Sequence, residues 1–420
     1  MTRMAEGVGD LLFDWNAAGP VAVPRPSAIS FDDETLRDGL QSPSVTHPPV
    51  EERLRFLALA AAVGVTAADV GLPGAGARAA AEVEAICRAI VAERLPIVPN
   101  CAARTRERDI APVLEIIQRL GRPLEIMLFL ASSPLRRRVE GWSRDDLARR
   151  TEQSVGLAVR GGAVVTFVAE DASRSRPDDL MAVFLAALRA GASRLCIADT
   201  VGAATPVGAY RLARHVASAV GEAGFEGIGL DWHGHNDRGL AVASALGAAV
   251  GGTDRLHATA LGVGERVGNP PMEQLLVNAR LLGWAQPDLT RLGEYAKHAA
   301  QMLGTVVPPG APVVGSDAFR TSTGVHAAAI LKAGHRVDRE LADLVYAAIP
   351  PSWLGREQEI EVGPMSGSSN ARSWLAEHGH AADEDTARRI VVAAKQADRV
   401  LTEAELHALV EAHSGQAVEE

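Results

Sequence analysis

Short apolar, strand-like segments recur near residues 28–32, 66–71, 95–99, 124–130, 163–168, 193–198, 225–232 and 255–260, and Ala/Leu/Glu/Arg-rich helical stretches fill the intervals. No other feature limits the fold of this chain as strongly. Eight strand–helix units at a spacing of about 30 residues is the period of an α/β, (βα)8 TIM barrel. An open doubly wound sheet also alternates, but no glycine-rich dinucleotide loop follows the first strand. Eight even units favour closure. The barrel is therefore expected over residues 28–285, preceded by an arm at 1–27 that Pro20, Pro24 and Pro26 keep irregular. A linker at 286–312, which includes a helical piece from Leu292 to Met302, leads to a mostly helical subdomain at 313–420. Thr402 and Glu405 are spaced as the capping box of a final helix.

Barrel logic also says where chemistry belongs, because active-site residues of this fold sit at the C-terminal ends of the strands. Polar groups gather there: Arg37 and Asp38 after strand 1, Asn100 after strand 3, Ser132 and Ser133 after strand 4, Glu170 and Asp171 after strand 5, and Asp199 and Thr200 after strand 6. His233 and His235 follow strand 7, and the loop Gly262-Val-Gly-Glu-Arg-Val-Gly-Asn269 follows strand 8. Two histidines spaced i, i+2 on an extended segment present both imidazoles on one face. Such a pair suits a divalent transition ion such as zinc, manganese or iron, provided that a carboxylate joins it. Asp38 is the candidate, since strands 1 and 7 both neighbour strand 8 in a closed barrel.

A net charge of −10, from 42 basic and 52 acidic residues, argues against a nucleic-acid partner. Cys87, Cys101 and Cys196 show neither CxxC nor framework spacing, as expected in a reducing compartment. No apolar run reaches transmembrane length, and acidic residues flank the short apolar group at Leu11–Trp15, so neither a membrane span nor a secretory signal is expected. A cytoplasmic enzyme follows from these features.

Taken in order, Asp33-Glu-Thr-Leu-Arg-Asp-Gly-Leu-Gln41, Glu170-Asp-Ala-Ser-Arg174, Asp199-Thr-Val-Gly202, His233-Gly-His-Asn-Asp237, Gly262–Asn269 and Gly324-Val-His326 resemble the motifs of a known family. These are the metal-dependent acyl-CoA:2-oxo-acid condensing enzymes, namely the isopropylmalate, homocitrate and citramalate synthases, which are related to HMG-CoA lyase. The resemblance implies a divalent ion (Zn, Mn, Mg or Co) held by Asp38, His233 and His235 with Asn269 in or near the shell. It implies a CoA thioester, acetyl-CoA above all, as donor and a 2-oxo acid as acceptor. Arg37 would stabilise the developing alkoxide and Thr200 would hold the acceptor carboxylate. The resemblance implies further that His326, supplied in trans across a homodimer, removes the proton from the acyl α-carbon, with Glu265 and Glu170 as further catalytic candidates. Water would then hydrolyse the thioester. Ser132 and Arg136 are expected either to contact substrate or to cap and solvate the following helix, and Arg37 either to serve catalysis or to pair with Glu170.

The acceptor is read from strand 5. Homocitrate synthases carry an arginine four residues before the motif glutamate, to grip the distal carboxylate of 2-oxoglutarate. Here Thr166 stands at that position, and Val168 replaces the usual serine. Side chains 166, 168 and 170 share a strand face, so both departures are expected to face the pocket. Loss of the guanidinium fork argues against 2-oxoglutarate, and a branched, aromatic or phosphorus-containing 2-oxo acid is expected instead. The Gly324–Leu331 and Gly363–Asn370 segments are more similar to homocitrate synthases, and the regulatory domain common in the leucine-pathway enzymes is not expected. Leu40, where synthases commonly carry glutamate, is similar to the lyase branch. A metal-dependent 3-hydroxyacyl-CoA lyase is therefore the alternative activity, and a non-catalytic partner protein the alternative class.

Overall fold

A computed structural model describes residues 28–335 and 339–414, together with Leu11 and Pro26. The arm expected at 1–27 otherwise lies outside the described residues. The chain divides into two compact units, residues 20–307 and a unit made of 308–420 with 1–19.

The first unit is a closed barrel of eight parallel strands in sequence order: β1 (Ser30–Asp33), β2 (Ala67–Asp69), β3 (Val98–Arg104), β4 (Glu125–Ala131), β5 (Val164–Glu170), β6 (Arg194–Asp199), β7 (Gly229–Gly234) and β8 (Arg255–Ala258). Closure is made by β1 on β8, with Phe31 opposite Leu256 and Asp33 opposite Ala258. Outward-facing Phe31, Phe167, Leu195, Trp232 and Leu256 are at most 1% exposed because a ring of helices covers them. Those helices start where the sequence offers caps: Ser143 and Asp146 form a capping box for Arg144–Arg160, and Thr205 accepts the Gly208 N–H ahead of Pro206–Glu222. The segment expected as a linker from 286 contains the helix Leu292–Leu303, docked on Val50–Ala62 by stacking Tyr295 on Phe56 at 5.1 Å.

The inside of the barrel is layered. Its lower layer is charged. Arg255 lies among Glu125, Asp231 and Asp32, donating to Glu125 Oε2 at 3.0 Å and to Asp231 Oδ2 at 2.8 Å. Asn100 donates to Asp32 Oδ2 at 2.7 Å. The expectation that Asn100 follows strand 3 is thereby corrected. β3 begins at Val98 rather than 95, and Asn100 lies inside it, under the site rather than at its mouth.

The second unit is mostly helical, with Gly324–His335, Arg339–Leu344, Ser368–Glu377, Glu384–Gln396 and Glu403–Ser414. A two-stranded parallel pair, β9 (Arg320–Thr321) and β10 (Glu359–Ile360), joins them. Trp374, Leu375, Ile390 and Leu406 form its core. Glu405 Oε2 accepts the Thr402 N–H at 2.8 Å, which closes the capping box read from the sequence.

Candidate functional site

At the C-terminal mouth of the barrel lies a cavity of about 240 Å³. Its floor carries Glu34, Asp38, His233, His235 and His257, and its wall carries Leu72, Ala102, Met127, Phe129, Val168 and Ala198. Backbone hydrogen bonds set the floor. After β1 the Arg37 and Gly39 N–H groups both donate to Glu34 O, a tight turn that swings Asp38 inward. Thr35 pins that turn to the end of β8 by accepting the Ala260 N–H at 2.8 Å. His233 is the penultimate residue of β7, and the His235 N–H just beyond it donates to Asp199 O at 3.2 Å. Gly202 permits this approach: its φ is +59°, and a Cβ there would stand 2.7 Å from His235 O.

The two Nε2 atoms of His233 and His235 are 3.3 Å apart, and each is 3.6 Å from Asp38 Oδ2. Ligands about 2.1 Å from a shared ion stand roughly 3.0–3.4 Å apart, so this triangle is within a few tenths of an ångström of the dimensions of a divalent-ion site. His235 Nδ1 and Asn269 Oδ1 are among the buried polar atoms that lack a hydrogen-bond partner among the described residues. Asn269 is anchored through Nδ2 to Gly234 O at 3.2 Å, next to the triangle. Gly264 leaves its oxygen room, since a Cβ at 264 would sit 2.0 Å from Asn269 Oδ1. One carboxylate, two imidazoles and an orphaned amide oxygen are a donor set that fits a transition ion.

Electrostatics keep the donors ready. Burial, followed by the neighbouring His233, lowers His235 to about 4, which keeps it neutral and able to ligate. Burial alone would raise Asp38, but Arg37 and His233 outweigh it and hold the carboxylate below its ordinary range. Arg37 is clamped by three acids: Glu34 Oε2 at 2.8 Å, Asp38 Oδ2 at 3.1 Å and Asp69 Oδ2 at 2.8 Å. The expected alternative pairing of Arg37 with Glu170 is absent. Glu170 instead holds Arg136 at 2.8 Å, and burial raises its carboxyl above the usual range.

Two groups that the sequence reading passed over complete the floor. Glu34 stands 2.8 Å from His233 Nδ1, on the side of the ring opposite the triangle, and its other oxygen meets His257 Nδ1 at 2.8 Å. His257 reaches Asp231 Oδ2 at 3.1 Å through Nε2, and although burial opposes it, the carboxylates Glu34 and Asp231 raise the imidazole to about 10. The signal was present: Arg255 and His257 alternate with apolar Leu256 and Ala258, so two charged side chains of β8 face the barrel interior.

Other expected residues distribute unevenly. Val168, Glu170, Thr200 and Glu265 line the cavity. Thr166 does not, and its expected role in the pocket is corrected. It shares the face of Val168 but lies one layer lower, fully buried, donating to Glu125 Oε1 at 2.6 Å beside Arg255. Ser132 is corrected likewise, because its hydroxyl is buried against Ser175 at 2.7 Å and away from the cavity lining. Ser133 caps the helix Pro134–Glu140, and Arg136 stands at the rim on Glu170 and Glu140. Thr200 Oγ1 accepts the Asp171 N–H at 2.8 Å. Asp199 is structural, gathering the Ser173 hydroxyl and the Ala203 and Ala204 N–H groups. Arg266 pairs with Asp237 at 2.9 Å, while Glu265 donates its backbone N–H to Asp38 Oδ1 at 3.2 Å. His326 belongs to the second unit, near the start of Gly324–His335, and its ring stacks on Tyr346 at 4.0 Å.

Comparison with known proteins agrees with this geometry. Residues 28–298 match the family described as HMGL-like. A probable 2-isopropylmalate synthase of Methanopyrus kandleri is 32% identical over 374 residues, covering 88% of this chain and 70% of that protein. A putative (R)-citramalate synthase of the same organism is 31% identical, over 92% of this chain and 72% of that protein. Among solved structures, a hydroxymethylglutaryl-CoA lyase from Pseudomonas aeruginosa superposes with a TM-score of 0.55 at 21% identity, covering 70% of this chain and 97% of that one. At that identity it speaks for the barrel fold alone. Among the described residues no helix is long and apolar enough to cross a membrane.

Proposed function

The chain belongs to the HMGL-like family, and from that premise we propose that it condenses acetyl-CoA with a 2-oxo acid and hydrolyses the resulting thioester. The observation that carries this reading is the convergence of Asp38, His233 and His235 on one point beside the Arg37 guanidinium, at the bottom of a cavity with an apolar wall. Asp38, His233 and His235, with Asn269 beside them, would hold a divalent ion, which when bound would supply a Lewis acid for the acceptor's keto group. Two imidazoles and a carboxylate favour Zn, Mn or Co over Mg.

The remaining steps fall to the protein. Arg37, fixed by three carboxylates, presents its guanidinium where negative charge develops on the keto oxygen. Thr200, on the cavity wall, hydrogen-bonds the acceptor carboxylate. A base takes a proton from the acyl methyl group, the carbanion forms the new C–C bond, and water then cleaves the C–S bond to release CoA. His326 is assigned as that base, delivered by the second copy of a homodimer, with Glu265 at the cavity edge to orient it. This assignment is supported by the barrel's own histidines at the cavity, because His233 and His235 are committed to the triangle and His257 is held as a cation between two acids. Glu170, raised by burial, lines the same cavity as Val168 and is a further catalytic candidate. Cys87, Cys101 and Cys196 are unpaired, which supports a cytoplasmic setting.

The acceptor is a 2-oxo acid with an apolar substituent. Thr166 no longer bears on this choice, but the wall does. Met127, Phe129, Val168 and Leu72 would surround the substituent, and the cations among the described lining residues, Arg37 and His257, are already paired with carboxylates on the floor. A second carboxylate on the acceptor would enter that wall unpaired, at a cost of several kcal/mol. The test is thiol release from acetyl-CoA against a panel of 2-oxo acids. Branched or aromatic acceptors should drive it and 2-oxoglutarate should be poor. Brisk release with 2-oxoglutarate would overturn the acceptor assignment. Cleavage of a 3-hydroxyacyl-CoA without release on any acceptor would replace the synthase by a lyase.

A further inference from the structure

Far along the chain, in the helical unit, three of the protein's 12 histidines gather around one tryptophan. His378 follows the helix Ser368–Glu377, His380 lies two residues beyond, and His407 is on the final helix Glu403–Ser414. Trp374, only 3% exposed, packs against all three rings, with His378 stacked on it at 4.4 Å. Glu403 completes the group from the position four residues before His407, so both project from one face of the final helix.

The hydrogen bonds fix how these rings point. His378 Nδ1 donates to Trp374 O at 2.8 Å, so in the neutral ring the lone pair is on Nε2. That nitrogen faces Glu403 Oε2 at 3.1 Å. Two acceptors so close repel unless a cation lies between them. A third donor, His407 Nε2, is 4.0 Å from the same oxygen, and donor atoms of all three residues fall within 4.8 Å of one another. Each donor is also held from behind, as ligands of metal sites generally are. The Trp374 indole N–H donates to Glu403 at 3.0 Å, the Trp374 carbonyl orients His378, and His380 Nε2 lies 3.4 Å from His407 Nδ1. Among the described residues Glu403 takes no ion pair with a lysine or arginine.

We propose that His378, Glu403 and His407 form a second metal site, separate from the barrel, which binds a divalent transition ion of the zinc class with an open fourth position. Its chemistry is that of a clasp. Two imidazoles and one carboxylate suit borderline ions rather than calcium or magnesium, and occupancy fastens the final helix to the helix that ends at Glu377. The half-exposed rings, 32% for His378 and 43% for His407, leave a route for the ion and a coordination position for water.

Zinc alone, titrated into the chelator-treated full chain, gives the test. The parent should bind two ions per chain, H233A one, and H378A/H407A one, with the two losses independent. In H233A, which keeps only the helical site, zinc should raise the unfolding midpoint. E403Q, which keeps the shape and the Trp374 contact, should weaken that shift and lower zinc affinity at least about tenfold. Nickel should quench Trp374 emission in H233A but not in H233A/W374F. Equal zinc stoichiometry in the parent and H378A/H407A would overturn the proposal, as would binding by H233A only at millimolar zinc. Either result would leave His378 and Glu403 as a proton-sharing surface pair.

Discussion

Replacing Glu34 by Gln tests whether the barrel's charged floor serves the donor triangle or merely fills space. Glu34 is 1% exposed and faces three cationic or donor groups at 2.8 Å each: Arg37 NH2, His233 Nδ1 and His257 Nδ1. At an effective dielectric of about 20, each full cation roughly 4 Å from the carboxylate contributes on the order of 4 kcal/mol of attraction. Much of this is offset by the burial that, taken alone, would raise Glu34; its two charged partners and His233 nevertheless hold it well below the usual range. Glutamine keeps the volume but removes the charge and turns one acceptor into a donor aimed at an N–H. The net loss expected for breaking such a buried network is about 3–5 kcal/mol, read as a lowered urea midpoint of the chelated protein. A second effect is specific to the site. His233 would lose the partner behind its Nδ1, and an outer partner of this kind is worth about 10–100-fold in metal affinity. Competition against a chromophoric chelator measures that directly. If E34Q loses stability but binds the ion as tightly as the parent, Glu34 is only a structural counter-ion, and the claim that it orients His233 is wrong.

Three further perturbations address neighbouring parts of the account. Ala at Gly264 would push a methyl group into Asn269 Oδ1, so G264A should weaken metal binding at least about tenfold while far-UV circular dichroism stays unchanged, and parental affinity would remove Asn269 from the site. His257, raised from its ordinary 6.5 to about 10, holds an extra proton in the folded state. Its contribution is full below about pH 6.5 and is lost as pH climbs toward 10, so stability of the chelated protein should fall across that window by up to about 1.4 kcal/mol per pH unit for this proton. H257Q should flatten the slope measured by urea unfolding at pH 7, 8 and 9, and an unchanged slope would show that another group binds the proton. V168R supplies a guanidinium fork to the acceptor wall and should shift kcat/KM from apolar toward dicarboxylic 2-oxo acids by about tenfold or more, whereas a uniform loss on both would place Val168 outside the acceptor subsite.

Much of this molecule is written locally, and what is not has a common cause. The barrel is legible because each βα unit announces itself through its own apolar strand and amphipathic helix, and closure requires only counting to eight. Asp38, His233 and His235 are legible because strand ends are where polar residues of this fold collect, and β1 and β7 both flank β8. The charged interior is different. Glu125, Asp231 and Arg255 sit on three strands, and nothing in any one strand says that its inward charge is neutralised across the barrel. The same blindness misplaced Thr166. Alternation gives the face of β5 but not the depth, and Arg255 occupies the level where a pocket was expected. β3 is expected too early because Ile97 and Val98 carry the apolar signal, whereas its second half opens with Asn100, a polar residue whose partner Asp32 is distant in sequence.

The most direct measurement is the fate of the acetyl carbons. Acetyl-CoA labelled with carbon-13 in the acetyl group would be incubated with a branched 2-oxo acid and the metal-loaded protein, and the products followed by mass spectrometry. The account predicts a labelled 2-hydroxy dicarboxylic acid, heavier than the acceptor by the elements of acetic acid, formed one for one with free CoA and lost in D38A or after chelation. Free CoA with the label recovered only as acetate, or no labelled acid with any 2-oxo acid tried, would contradict it.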